Sequence, residues 1–159
     1  MGKYMYFYPK SEEAYIDISG VKISNVSVKH VYEIAQTLKK LGLETNEFLK
    51  IFKVYEDEYF KTLSSEEQTE LLRKASEFIL EPEEIKKIRD FSKKAITRIE
   101  KAVNIEEVHK KMEKVPHLES VYKYIDKSEV DYYDARAHLM SLLAICEKAL
   151  GLGVKLRVA

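Results

Sequence analysis

The chain has 159 residues, 45% hydrophobic and 34% charged, enough apolar side chain for a sizeable core, which excludes a disordered polymer. Lys+Arg and Asp+Glu each number 27, so the formal net charge is zero. Nucleic-acid binders draw affinity from a basic excess, so neutrality argues against such a partner, while it removes one barrier to self-association and leaves a homo-oligomer open.

The elements read in chain order give a β-rich segment over 1–26, a helical bundle over 27–150 and a strand over 153–158, all within a single domain, 1–159. Tyr4, Met5, Tyr6, Phe7 and Tyr8 form an aromatic strand that Pro9 ends. Tyr4, Tyr6 and Tyr8 share one of its faces, expected to pack against helices. Ala14–Ile18 and Val21–Ile23 alternate on either side of Ser19-Gly20 and predict a hairpin.

Ser27 caps the first helix, with Val28, Val31, Ala35, Leu38 and Leu41 on one face and Gly42 as its stop. Phe48, Phe52, Tyr55, Tyr59 and Leu63 predict one continuous helix after Thr45. Ser64 and Glu67 make a capping box for a helix running through Ile79. Pro82 suits a helix first turn, and Ile85, Ile88, Ser92, Ala95, Ile99 and Ala102 follow at helical spacing. Asn104 caps a short helix that Pro116 terminates, and another short helix is expected from Leu118 to Ile125. Ser128 and Asp131 cap a last helix lined by Tyr133, Ala137, Met140 and Ala144, ending before Gly151. The alternation of Val154–Val158 predicts a strand pairing with the N-terminal ones. The fold class is therefore predominantly α (α+β), with about five or six helices and a small antiparallel sheet built from both chain ends.

The lone cysteine, Cys146, cannot form an internal disulfide, and its run Leu142–Cys146 predicts a buried, inert thiol. No signal-peptide core is visible, and the apolar stretch Leu139–Cys146 is much shorter than the roughly 18 residues of a membrane span. The expectation is a cytoplasmic protein with no membrane partner.

No phosphate loop, nucleophile elbow, HExxH or CxxC occurs, so no catalytic, cofactor or metal residue is assigned. Glu106 and His109 have the i, i+3 spacing of di-iron helices, but the second copy of that motif is missing. Asp134 and His138 lie one turn apart and offer an alternative reading, an enzyme or metal protein built in the bundle. Lys87, Lys94, Arg98 and Lys101 share one helix face, the pattern of a solvated surface. The segment Tyr55-Glu56-Asp57-Glu58-Tyr59-Phe60 sets carboxylates beside amphipathic aromatics. Tyrosine supplies rigid contact area and carboxylates steer a cationic partner. Tyr55, Glu56, Asp57 and Tyr59 are accordingly the expected partner-binding residues of an adaptor, inhibitor, antitoxin or immunity-type module that engages a basic protein.

Overall fold

The computed structural model describes residues 3–8, 24–26, 28–55 and 57–159. Among them, strands β1 (Lys3–Tyr8), β2 (Ser24–Val26), β3 (Phe78–Leu80) and β4 (Lys155–Val158) form one antiparallel sheet in the order β2-β1-β4-β3. The helices are α1 (Val28–Lys39), α2 (Asn46–Ile51), α3 (Asp57–Lys61), α4 (Ser65–Ser76), α5 (Pro82–Ala102), α6 (Ile105–Glu113) and α7 (Lys127–Leu152). A single 3-10 turn, Val121–Lys123, precedes α7. The chain is predominantly helical with a small sheet, the expected α+β class. The proposed hairpin over residues 14–23 lies outside the described residues.

The C-terminal tail pairs with β1 as its alternation requires. Met5 lies opposite Val158 and Phe7 opposite Leu156, while Phe78 and Leu80 oppose the same two residues from the other side. Directly opposed residues share a face of the sheet. All six are buried and meet the helices as one apolar layer. The aromatic strand thus has the opposite phase to the one expected. Met5 and Phe7 face the core, whereas Tyr4 and Tyr6 are half-buried and Tyr8 is exposed. On this outer face the Arg157 guanidinium lies 5.1 Å from the Tyr6 ring centroid.

The helix expected through Ile79 stops at Ser76, and Phe78–Leu80 becomes β3. Pro82 disfavours helical backbone at Glu81, which adopts φ −76°, ψ 160°. The preceding aromatic and branched residues then gain a ladder partner in β4. Lys155 and Arg157 on β4 pair with Glu81 at 3.0 Å and Glu77 at 3.3 Å, bracketing the new strand.

Helix α5 carries its expected stripe, with Ile85, Ile88, Ser92, Ala95 and Ile99 buried, though Ala102 is exposed. It makes its most extensive helix contact with α7. On α7 the buried face is Val130, Ala135, Leu139, Leu142, Ile145, Cys146 and Ala149, a different one from that expected. Met140 is 45% exposed, because apolar residues occur nearly all round this helix and periodicity alone picks no face. Asp126 rather than Ser128 precedes its first turn, and the helix runs past Gly151 to Leu152. Between Leu118 and Ile125 only the 3-10 turn forms.

Three helix ends share one hydrogen-bonding pattern. After α1, Gly42 N–H donates to Lys39 O and Leu43 N–H to Leu38 O; after α7, Gly153 and Val154 donate to Leu150 and Ala149. After α2, Lys53 N–H donates to Lys50 O and Val54 N–H to Leu49 O. This is the Schellman arrangement, whose penultimate residue is left-handed. Gly42 (φ +79°) and Gly153 (φ +68°) adopt it freely, but at the α2 stop the residue is Lys53, at φ +57°. The one helix expected over 46–63 is therefore broken into α2 and α3. The Cβ of a left-handed residue crowds its own carbonyl, a penalty of about 1–2 kcal/mol. Lys53→Gly should raise unfolding stability by about 0.5–1 kcal/mol in urea titration, the gain trimmed by lost contact between its ammonium and the Phe78 ring. A second site gives the same direction by another route. Ser92 is fully buried in the α5 stripe, and its hydroxyl has no hydrogen-bond partner. Ser92→Ala removes that desolvated group and should stabilise the fold by about 1 kcal/mol in the same titration.

Candidate functional site

The acidic–aromatic segment begins where the Lys53 turn breaks the helix. The Tyr55 and Tyr59 rings lie 6.0 Å apart, and Asp57 is exposed in the first turn of α3. Glu56 falls outside the described residues. The two tyrosines were expected to continue the core stripe, and they do not. Tyr55 is only half-buried, Tyr59 is 53% exposed, and no residue of α3 is buried. The turn at Lys53 resets the helical phase, so Phe48 and Phe52 enter the core while the tyrosines stay outside it.

Helix α4 lies beside this segment and likewise buries no residue. The capping box of Ser64 and Glu67 starts it, as expected. Gln68 ties it to α3, its side-chain amide donating to Phe60 O at 2.9 Å and Leu63 O at 3.3 Å. The result is two apolar grooves flanking Tyr55. One, of about 420 Å³, runs between Val54, Phe60, Leu71, Leu72 and Ala75. The other, of about 390 Å³, is walled by Leu49, Val54 and Tyr59. Leu72 is 62% exposed at the rim. The sequence puts Leu71 and Leu72 on the helix opened by Ser64, and in the structure Leu71 is half-buried while Leu72 is exposed; the clue is the scarcity of large apolar residues elsewhere on α4.

The alternative pair, Asp134 and His138, sits on α7 facing α1. The structure adds a partner that sequence reasoning missed. His30 stacks on His138, with centroids 4.8 Å apart and planes 30° from parallel. Its Nδ1 is buried without a hydrogen bond. A cavity of about 500 Å³ opens beside the pair, walled by Glu33, Lys40, Tyr122, Lys127 and Asp131. Lys127 is held on Asp131 at 2.9 Å. Two stacked imidazoles direct their nitrogen lone pairs in nearly parallel planes, a poor geometry for one shared ion. Among the described residues no three His, Cys, Asp or Glu side chains form a metal-holding group.

Burial lowers the His138 imidazole below its ordinary value of 6.5; His30 lowers it further, while Asp134 and Glu33 oppose. Burial raises the Asp134 carboxyl above 3.8, His138 opposes, and Asp131 adds to the rise. The depressed His138 value means the unfolded chain binds this proton first. Stability is thus unaffected above pH 6.5 and falls as pH drops below it towards the folded value. Asp134 acts in the opposite sense, the partial desolvation of its charge being relieved as pH falls through its raised value. The urea midpoint should decline from pH 7 to the region below 6.5, and His138→Gln should flatten that decline; an unchanged slope in the variant would assign it elsewhere.

The remaining candidates are structural. Lys87 pairs with Glu47 at 3.0 Å, and Arg98 donates twice to the Leu41 carbonyl, anchoring α5 to the α1 stop. Cys146 is fully buried and its thiol is pushed up to about 12 by desolvation. Glu106 pairs with Lys110 at 3.9 Å, and His109 engages Glu113 instead of Glu106. No helix of the described residues is long and apolar enough to cross a membrane. Comparison with protein-family models, curated proteins and solved structures finds no match to this chain.

Proposed function

We propose that the protein is an interaction module whose docking surface is the pair of grooves around Tyr55, and that its partner presents a basic amphipathic helix. The observation that carries this reading is the apolar lining of the two grooves, with Leu72 and Tyr59 exposed, beside helices α3 and α4, which bury no residue. Exposed apolar clefts rimmed by polar residues mark interaction sites. The charge of the helices beside the grooves bears on the partner. The linings themselves carry Asp57 with Lys50 and Lys53, and over 57–70 helix α3 and the first half of α4 add Glu58, Glu66, Glu67 and Glu70 against Lys61. Glu67 is committed to the cap and Glu70 to Arg73, at 2.6 Å. Asp57, Glu58 and Glu66 are exposed, and their charge favours Lys or Arg flanking the inserted apolar side chains.

The test uses three fluorescent synthetic peptides, namely a Leu/Lys amphipathic helix, its Leu/Glu counterpart and a scrambled Leu/Lys sequence. Anisotropy should show binding of the first alone, weakening with salt. Leu72→Glu and the double change Asp57→Lys, Glu58→Lys should each weaken it by about tenfold or more, with circular dichroism unchanged. Equal binding of all three peptides, or full affinity in both variants, would overturn the reading.

A second reading, a bundle enzyme or polar ligand site at Asp134 and His138, draws support from the convergence of His30, Glu33 and Asp131 on the same cavity. It expects a metabolite or metal to raise the melting temperature of the native chain and not of His138→Gln.

A further inference from the structure

Helix α7 carries apolar residues on two opposite faces, and the chain itself uses one. The face with Leu139, Leu142 and Cys146 is buried in the core. On the other, Ala137 and Ala144 are exposed and Met140 is 45% exposed. With half-buried Tyr133 they recur at intervals of four, three and four residues, the spacing by which one helix seats another along its length. Tyr133 closes the row at its N-terminal end. Its hydroxyl lies 2.7 Å from His109 Nδ1, beside a cavity of about 730 Å³ where α5, α6 and α7 meet. A helix that is apolar all round is ordinarily enclosed on all sides.

The row is prepared for the loss of water. Ser141 borders it on α7 and Thr97 on the adjoining α5. Both hydroxyls donate to their own helix, Ser141 to Ala137 O at 3.3 Å and Thr97 to Lys93 O at 3.0 Å. Covering them therefore leaves no donor unpaired.

Charge identifies what fits. Two ion pairs tie α7 to α5 at the ends of the row, Arg136 to Glu100 at 3.1 Å and Glu147 to Lys93 at 3.6 Å. The four groups form a checkerboard, cation beside anion at one end and anion beside cation at the other. A second copy turned over by a twofold axis running across the helices lays α7 antiparallel on its own equivalent. Arg136 of each copy then meets Glu147 of the other, Lys93 meets Glu100, and no like charges are opposed at the corners. The same register sets Met140 of each copy over the small Ala144 of the other. A twofold axis along the helices would also match the charges, but it would lay the row on α5, whose exposed residues here, Lys93, Thr97 and Glu100, are polar.

We infer that the outer face of α7 is a self-association surface on which a second copy of this chain docks antiparallel, forming a twofold dimer. The grooves around Tyr55 contain none of these residues, so the inference stands apart from the proposed docking surface. A formal net charge of zero sets little repulsion against the pairing. Positions 136 to 147 span about 16 Å of helix, so the contact belongs to the small class that gives weak, concentration-dependent complexes.

Sedimentation velocity of the intact chain at low ionic strength, from about 1 µM to 1 mM, covers the affinities of such contacts. The native chain should pass from monomer to dimer across this range. Ala144→Glu places a carboxylate in the middle of the row, at an exposed position where glutamate is a good helix former. It should remove the dimer with circular dichroism unchanged, whereas Leu72→Glu, at the grooves, should leave the dimer intact. Arg136→Glu and Glu147→Lys should each weaken association by about tenfold. An equimolar mixture of those two variants should recover what each has lost, because every cation at the two positions again meets a carboxylate. A native chain that stays monomeric up to about 1 mM, or a dimer retained by folded Ala144→Glu, would overturn the inference. A dimer lost in Leu72→Glu would place the contact at the grooves instead, and a mixture no tighter than its separate components would overturn the antiparallel register.

Discussion

The packing of α5 along α7 is the constraint from which the remaining positions follow. Each helix is joined directly to a strand, α5 behind β3 and α7 ahead of β4, and those two strands pair. Helix contact and strand ladder therefore close on each other, and neither can shift without opening the other. Ser92 and Ala95 on α5 and Ala135 and Ala149 on α7 are small buried residues that keep the inward faces of both helices slim. The flanking isoleucines and leucines fill the layer between helices and sheet, joined there by Met5 and Phe7. Arg98 then reaches from α5 to the Leu41 carbonyl and sets the height at which α1 ends.

Order of attachment decides what is left over for binding. Helices α1 and α2 contribute Val31, Leu38, Phe48 and Leu49 to the core, but α3 and α4 contribute nothing buried. Helical stability in proteins comes mainly from packing an amphipathic face, so a helix that buries none of its residues is weakly held. Such elements open at low free-energy cost and are where binding surfaces are commonly drawn from. The capping box of Ser64 and Glu67 and the two bonds from Gln68 supply α4 with local substitutes for packing. A partner covering Leu71, Leu72 and Phe60 would supply the burial that the chain itself withholds.

The parts legible in the sequence are those whose determinants are local. Gly42, Ser64, Pro82 and Asn104 act within a turn of where they stand, and each does what its residue type dictates. The stripe from Ile85 to Ile99 was readable because its opposite face is charged. What escaped was set by contacts distant along the chain or by an uncommon residue in a familiar geometry. Phe78–Leu80 is a strand because β4 is beside it. Lys53 stands where glycine usually signals the stop, so the break before Tyr55 left no trace in composition. Of the expected partner-binding residues, Tyr55, Asp57 and Tyr59 stand beside the two grooves, whereas Leu72 and the grooves themselves appear only once α4 is in place. His30 next to His138, and Tyr133 next to His109, are pairings between separate helices that no spacing rule reaches.

The zero net charge takes on a different meaning once position is known. Formal neutrality conceals local differences: 55–70 is strongly acidic, while at the cavity of α6 and α7 Lys101 and Arg136 stand beside Glu100 and Glu106. Screening acts over about 8 Å at physiological ionic strength. A charged partner approaching one surface therefore responds to the local cluster before it responds to the whole chain. On the proposed reading the apolar lining of the grooves, rather than the carboxylates, would hold the partner, since exposed ion pairs contribute about 1 kcal/mol or less each. Affinity at this surface should consequently rest on Leu72 and its neighbours, and association rate on Asp57 and Glu58.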